Sequence, residues 1–450
     1  MPTDRRQHHQ ELLKKLSIEL AGNTEPLRMK KKTISNLFRY EGRRQASSRE
    51  VDLRAFDRPL HLDEKNQTLD VQGLATYESI VDFVLPRGFT PVITPELKHI
   101  TVGGATVGIG IETNSFRYGF VHDSLLEADV LLADGRVVLA SPDNEHADLF
   151  HGLANSYGTL GYILRARIRL HNTLPYVRLT TRRFNSPDAM LKEMKQANDD
   201  PQADYIESLA YSPKELYLTV EKQVDQPTTL RSTYGPEPFY RLISQSGSFE
   251  LPIREFLFRY DPDSFWGVPT TGVYGLFRRL APRKLRNTSF YTRYARFYTA
   301  LDKKLPFLRL TDTTLEPLIQ DWEVPWKHAA SLLNFALSRL DLDDKPLMSG
   351  PLTSPGTASL YPIRPQKLYY NLGSYNFVKK QPGQQPYDNT KIMDRFCFDH
   401  EGIKMLYSSS FFSREEFEKY YNGPVYSKLK IKYDPLRLLP SLFDKAVRSR

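Results

Sequence analysis

Residues Thr101 to Gly119 read TVGGATVGIGIETNSFRYG and place five glycines among small neighbours. Glycine has no Cβ, so it permits positive φ and lets backbone N–H groups come close to an anion. Such a stretch suits the cradling of a pyrophosphate. Its spacing excludes two common forms of that cradle. Gly108-Ile109-Gly110 lacks the third glycine of a G-x-G-x-x-G dinucleotide loop and the clean strand-to-helix setting of one, and no Walker lysine follows. Tight turns alone also explain clustered glycines, so the neighbouring segments must decide.

Other chemistries find less support. Cys397 is the only cysteine, which rules out an intrachain disulfide and fits a reducing, cytoplasmic setting. The ten histidines are sparse and His8-His9 reads as an exposed terminal pair, so no metal site is expected. Ser408, Ser409 and Ser410 lack the glycine pattern of a nucleophile elbow. The net charge is +9, with clusters at Arg28, Lys30, Lys31 and Lys32 and at Arg278, Arg279, Arg283, Lys284 and Arg286. Dispersed basic residues read first as a solvated face, with a patch for peripheral contact to an anionic membrane as the alternative, and nucleic acid is not expected. The N-terminus, MPTDRRQHHQELLKKL, carries charge where a signal or anchor needs an apolar run, and no stretch of about 18 apolar residues follows.

The elements that must position the loop are legible from periodicity. Leu12, Leu13, Leu16 and Leu20 recur at helical spacing, predicting an amphipathic helix over His8 to Leu20 that packs on a sheet. A strand at Thr68 to Val71 leads to Thr76 as N-cap, a helix through Ile80, Val81, Phe83 and Val84, and Gly88 as its stop, with extended backbone from Pro91 to Thr94. Ala128 to Leu132 and Val137 to Ala140 flank Asp134-Gly135, a hairpin turn, and a helix comes next near Asp148 to Asn155. Tyr162 to Leu170 alternates, with Ile163, Arg165, Arg167 and Arg169 on a solvated face. Strands and helices mix without doubly wound regularity, so the class is α+β.

These motifs, in order, resemble the FAD-binding domain of the vanillyl-alcohol-oxidase (PCMH-type) flavoproteins. Thr101-Val102-Gly103-Gly104, Gly108, Ser115 and Gly119 match the flavin loop. Asp134-Gly135, Asp148-Leu149-Phe150 and Gly158-Thr159-Leu160-Gly161-Tyr162-Ile163 match the family's later motifs. PVITPELKHITVGG, LADGRVV and YGTLGYI are similar to one branch, the delta-24-sterol reductases. So are LPIREFLFRYDPDSFWG (251–267), LYYNLGSYN (368–376) and KMLYSSSFFSREEFEKYYNG (404–423). The eukaryotic members of that branch carry an N-terminal membrane segment, whereas this sequence starts at its charged helix. TISNLFRYEGRR (33–44) stands where the first pyrophosphate loop belongs.

The resemblance implies an FAD-binding domain over 1–171, an α+β substrate (cap) domain over 172–395 and a segment over 396–450 that closes the site. It implies FAD contacts by Thr101, Val102, Gly103, Gly104, Ala105, Thr106, Val107, Gly108, Ile109, Gly110, Ile111, Glu112, Thr113, Ser115, Gly119, Gly158, Gly161 and Ile163. No histidine lies between His99 and His122 and Ala105 follows Gly104, so the flavin is expected to be non-covalent; His99 reads as a strand-end residue. The implied reaction is reduction of an isolated carbon–carbon double bond in the side chain of a sterol or other isoprenoid lipid with NAD(P)H. Arg259, Tyr260 and Tyr407 are the catalytic candidates, supported by Tyr369 and Tyr375, with Phe256, Phe265 and Trp266 as an apolar wall. Oxidation of an alcohol, sugar or lactone, and a non-catalytic flavoprotein, remain open alternatives. A valine at Gly104 or Gly108 is expected to abolish flavin binding, because a β-branched residue resists positive φ and its methyls displace the ligand.

Overall fold

The computed structural model describes residues 2–34, 48–245, 247–268, 272–304 and 314–447. Most of the segment expected at the first pyrophosphate loop therefore lies outside the described residues. Two antiparallel sheets dominate, so the α+β expectation holds. The first orders its strands Pro59–Asp63, Thr68–Gln72, Tyr162–Asn172, Leu125–Leu131, Val137–Ala140, with Phe89–Pro91 pairing onto the long Tyr162–Asn172 strand. The second has eight strands: Ser248–Pro252, Tyr176–Phe184, Glu215–Val224, Tyr205–Ser212, Leu347–Thr353, Leu368–Lys379, Leu315–Pro325 and Ile403–Lys404.

Local rules account for the ends of these elements. Thr76 caps the Tyr77–Val84 helix by accepting from the Ser79 amide, and Gly88 closes the following 3₁₀ turn at φ 79°. Gly135 turns the hairpin at φ 91°. The extended stretch read at Pro91 to Thr94 is instead the short strand Phe89–Pro91, and the helix read near Asp148 is Ala147–Leu153.

Three expectations change with packing. The N-terminal helix spans Pro2–Leu20, and His9 is buried on it, edge-on to Phe56 and 3.1 Å from the Gln72 amide, instead of exposed. This helix covers part of the polar face of Tyr162–Asn172. There Arg165 bonds Asp70, Glu127 and Asp129, and Arg167 bonds Asp70, so carboxylates take the place of water. In the second basic cluster, Arg278 and Arg286 point inward, Arg278 forming a bidentate pair with Asp263.

The second sheet has two different faces. Ile206, Leu218, Trp322, Tyr370 and Leu372 form an apolar cluster under the helices Pro187–Asp199, Ala329–Arg339 and Asp388–Asp399. On the other face Val177, Leu179, Tyr205, Leu209, Leu251 and Leu352 join the core shared with the first sheet, while Glu207, Asp321 and Glu323 stand at alternate positions to Ile206 and Trp322. The C-terminal part of the sequence returns to that first sheet. On the helix Gly423–Tyr433, Lys430 donates to the carbonyls of Thr159 and Leu439 and to Asp434, and Leu429 lies so near Gly152 that a Cβ there would approach it to 2.4 Å.

Candidate flavin and substrate site

The glycine segment is not one loop. Val102–Gly108 is a short helix capped by Thr101, whose Oγ1 accepts from the Gly104 amide at 3.2 Å. The Val102 and Gly103 amides donate to Ala75 and Gly73 carbonyls, so this first turn is satisfied within the protein. The expectation of anion-facing amides and positive φ at Gly104 and Gly108 is therefore corrected. Neither residue has positive φ, and Gly104 lies exposed on the helix. Gly103 is required for another reason: a Cβ there would sit 2.8 Å from the Gly73 carbonyl, while a Cβ at Gly73 would sit 1.9 Å from the Ile163 carbonyl. Backbone crossing backbone, not ligand approach, selects these two glycines. Positive φ occurs further along, at Ile109 (56°), Gly119 (78°), Gly158 (72°) and Gly161 (154°).

The sequence motifs converge in space. Tyr157 bonds the Val107 carbonyl through its amide (3.0 Å) and the Gly108 carbonyl through its hydroxyl (2.9 Å), joining the Asn155–Gly161 turn to the end of the glycine helix. In that turn the Asn155 Oδ1 and Ser156 Oγ atoms are buried without a hydrogen-bond partner. Unsatisfied polar atoms between two glycine-bearing segments suit the polar portion of a dinucleotide, so the residues fit FAD. Gly110 packs on Val121, Ser115 Oγ accepts from the Glu112 amide, and the Thr113 carbonyl accepts from the Ile206 amide of the second sheet. Ala105 and Thr106 are buried and Ile111 is half-buried in the same segment. His99 lies in a turn, 3.6 Å from Glu78, and not at a strand end.

Where this segment reaches the second sheet, acids gather. Arg259 is 2 % exposed and its Nη2 lies 2.6 Å from Glu96, 3.2 Å from Glu207 and 3.2 Å from Thr113 Oγ1. Tyr260 donates to Glu207 at 3.0 Å. Burial pushes Glu96 up to about 7, Arg259 opposing and Glu207 reinforcing the shift; burial and repulsion from Glu96 raise Glu112 well above the usual range, and burial and Glu207 do the same to Glu221. One guanidinium cannot neutralise this many carboxylates, so several of them hold protons.

A second group lies on the same face. Asp321 accepts from Tyr407 (2.6 Å), Tyr375 (3.2 Å) and Asn371 (3.0 Å), and burial raises its carboxyl while these donors oppose the shift. Phe265 stacks on Tyr375 at 3.7 Å, with Trp266 edge-on at 6.1 Å. Phe256 packs under the Arg259 guanidinium at 4.4 Å, and the Tyr369 hydroxyl accepts from the Arg364 amide, away from Asp321.

The candidates Arg259 and Tyr260 thus share Glu207, whereas Tyr407 belongs to the Asp321 group. Sequence reasoning missed Glu96, Glu207, Glu221, Asp321 and Glu323. The available signal was charge inside apolar strands, as in YIESLAYS and LIQDWEVP.

An FAD binding domain model matches residues 36–141. With the antiparallel architecture, this makes the protein an FAD-dependent oxidoreductase with a PCMH-type domain. Within that class it is similar to delta(24)-sterol reductases. The Homo sapiens protein is 27% identical over 414 residues, covering 87% of this chain and 76% of that protein. The Arabidopsis thaliana protein is 23% identical over 449 residues, covering 89% and 77%. Cytokinin dehydrogenase 3 of Arabidopsis thaliana is 32% identical over a shorter stretch of 134 residues, 28% of this chain and 25% of that protein.

Proposed function

We propose that this protein reduces an isolated carbon–carbon double bond in the side chain of a sterol or other isoprenoid lipid, with non-covalent FAD and NAD(P)H as electron donor. The observation that carries this reading is the likeness to sterol reductases over 87% of the chain, far beyond the FAD binding domain match at residues 36–141. An isolated alkene has no carbonyl to accept electrons, so its reduction needs an acid in an apolar place. FAD, when bound, supplies the hydride. Thr101–Thr113 and Asn155–Ile163 would hold it.

Tyr407 supplies the proton from its Oη, beside the wall of Phe265, Trp266 and Tyr375. Arg259 and Tyr260 orient Glu207 and keep the segment end at Thr113 fastened to the second sheet. Oxidation of an alcohol, sugar or lactone is less favoured, since the extended likeness is to reductases. One anaerobic titration tests the reading. NADPH or NADH should bleach the flavin, and a sterol with an unsaturated side chain should restore its colour; bleaching by polyols instead, or by neither, would overturn it.

The reading includes peripheral contact with a membrane. Among the described residues no helix is long and apolar enough to cross one. The helices Gly272–Leu280 and Thr288–Lys304 join through stacked Phe277 and Phe290 and expose Leu276, Leu280 and Phe297 beside Arg279, Lys284 and Arg293.

A further inference from the structure

Three donors converge on one carboxyl in the second sheet. Tyr407 and Tyr375 reach Asp321 Oδ2 and Asn371 reaches Oδ1. Asp321 lies directly across from Gly373, where a Cβ would stand 2.7 Å from Oδ1 and 3.3 Å from the Tyr375 ring. The sheet keeps this space for the carboxyl. Among the described residues, the other titratable groups acting on it besides the two tyrosines are acids: Glu96 and Glu112 from the glycine segment side and Glu323 from its own strand. Arg259 acts on Glu96 and Glu112, and is not among the partners of Asp321.

We propose that Asp321 is the proton store for alkene reduction and delivers through Tyr407, an assignment that rests on the reductase reading above. The Tyr407 O–H bond breaks as the alkene π pair forms a C–H bond at one carbon. With Asp321 protonated the 2.6 Å contact runs the other way, from Asp321 Oδ2–H to Tyr407 Oη, and the Tyr407 O–H turns to the alkene. In the same event the Oδ2–H proton moves to Tyr407 Oη, and the other alkene carbon accepts the hydride that NAD(P)H ultimately supplies. A proton from water then restores Asp321, so each turnover consumes one hydride and one proton.

The relay solves an electrostatic problem. Tyr407 alone would become a tyrosinate in a buried place where burial and Asp321 already push its hydroxyl well above the ordinary range. An Asp321 carboxylate, by contrast, is met at once by Tyr375 and Asn371. Tyr407 is then a catalytic residue and Asp321 a positioning residue that acts through it.

The test uses FAD-loaded enzyme and separates the half-reactions. Asp321→Asn and Tyr407→Phe should slow alkene-driven reoxidation by about 10²-fold or more, while reduction by NAD(P)H changes far less; Asp321→Glu should recover part of the loss. The wild-type rate should fall as pH rises through the Asp321 value, and Asp321→Asn should lack that limb. Independently of turnover, a wild-type minus Asp321→Asn infrared difference at neutral pH should show the carbonyl band of a neutral carboxylic acid. An ionised Asp321, or reoxidation of Asp321→Asn at wild-type speed, overturns the relay. If no alkene reoxidises the wild type, the reductase reading fails instead, and the infrared band still decides whether Asp321 stores a proton.

Discussion

At the scale of single residues, the buried acids make stability depend on pH in a direction that can be derived. A carboxyl whose folded value is raised binds protons more readily folded than unfolded, so it favours the fold at low pH and loses that contribution as pH rises. For Glu96 the window runs from the unfolded value of about 4.3 up to about 7. Glu96→Gln should therefore flatten this part of a melting-temperature-versus-pH curve between pH 5 and 7, taken as roughly that window. An unchanged slope would show that Glu96 ionises freely. Arg259 makes the complementary case. Arg259→Met leaves Glu207 buried without its cation, which costs about 3–5 kcal/mol, and adding Glu207→Gln should return much of that in urea unfolding. A double variant no more stable than the single would refute the pairing.

At the scale of elements, the glycines divide into two kinds that one test separates. Gly104 is exposed and a Cβ there meets only Thr101 Oγ1, whereas at Gly73 it strikes the Ile163 carbonyl. Gly104→Val should displace the Thr101 cap, 2.8 Å from the new Cβ, at a cost of about 1 kcal/mol, and lose FAD, seen as a colourless protein that still melts cooperatively at a slightly lower temperature. Gly73→Ala should lose both. Retained FAD in Gly104→Val would mean that this helix does not face the cofactor. The contrast also shows what the sequence made legible. Capping at Thr76, the stop at Gly88 and the turn at Gly135 follow from local rules and were readable. The helix at Val102–Gly108 was not, because three glycines disfavour it and contacts remote in sequence, from Val102 and Gly103 to the Gly73–Ala75 backbone and from Tyr157 to its last turn, hold it in place. His9, Arg278 and Arg286 were misplaced for a related reason: a charge pattern cannot reveal that Asp129 or Asp263 waits beneath it. Tyr407 entered only through resemblance; Asp321 was signalled only by a charge inside the apolar run LIQDWEVP, and its pairing with Tyr407, far off in sequence, was not readable.

At the scale of the whole molecule, the flavin domain, the acid-bearing sheet and the basic helices set distinct demands. No histidine lies between His99 and His122 and the single cysteine, Cys397, is buried in the second core, so denaturation should release intact FAD into the supernatant. Yellow precipitate would contradict this. On the proposed reading, the last demand is access to a lipid substrate. Leu276 and Leu280 lie one turn apart on the outer side of their helix, 57% and 73% exposed, because Arg278 on the opposite side is anchored to Asp263 and to the Gly235 and Pro236 carbonyls. With Arg278 and Arg286 buried and Arg283 paired with Glu255, the charge this face offers to lipid comes from Arg279, Lys284 and Arg293. Each such residue near an anionic surface contributes about 1 kcal/mol, and raising salt from about 0.1 M to 1 M shortens the screening length from roughly 10 Å to 3 Å. The protein should therefore co-sediment with phosphatidylserine vesicles at low salt and dissociate at high salt. Arg279→Glu/Lys284→Glu should weaken binding mainly at low salt, while Leu276→Glu/Leu280→Glu should weaken the part that salt leaves intact. Equal binding to neutral vesicles would remove the electrostatic half of the argument, and indifference to both pairs of substitutions would place any membrane contact elsewhere on the molecule.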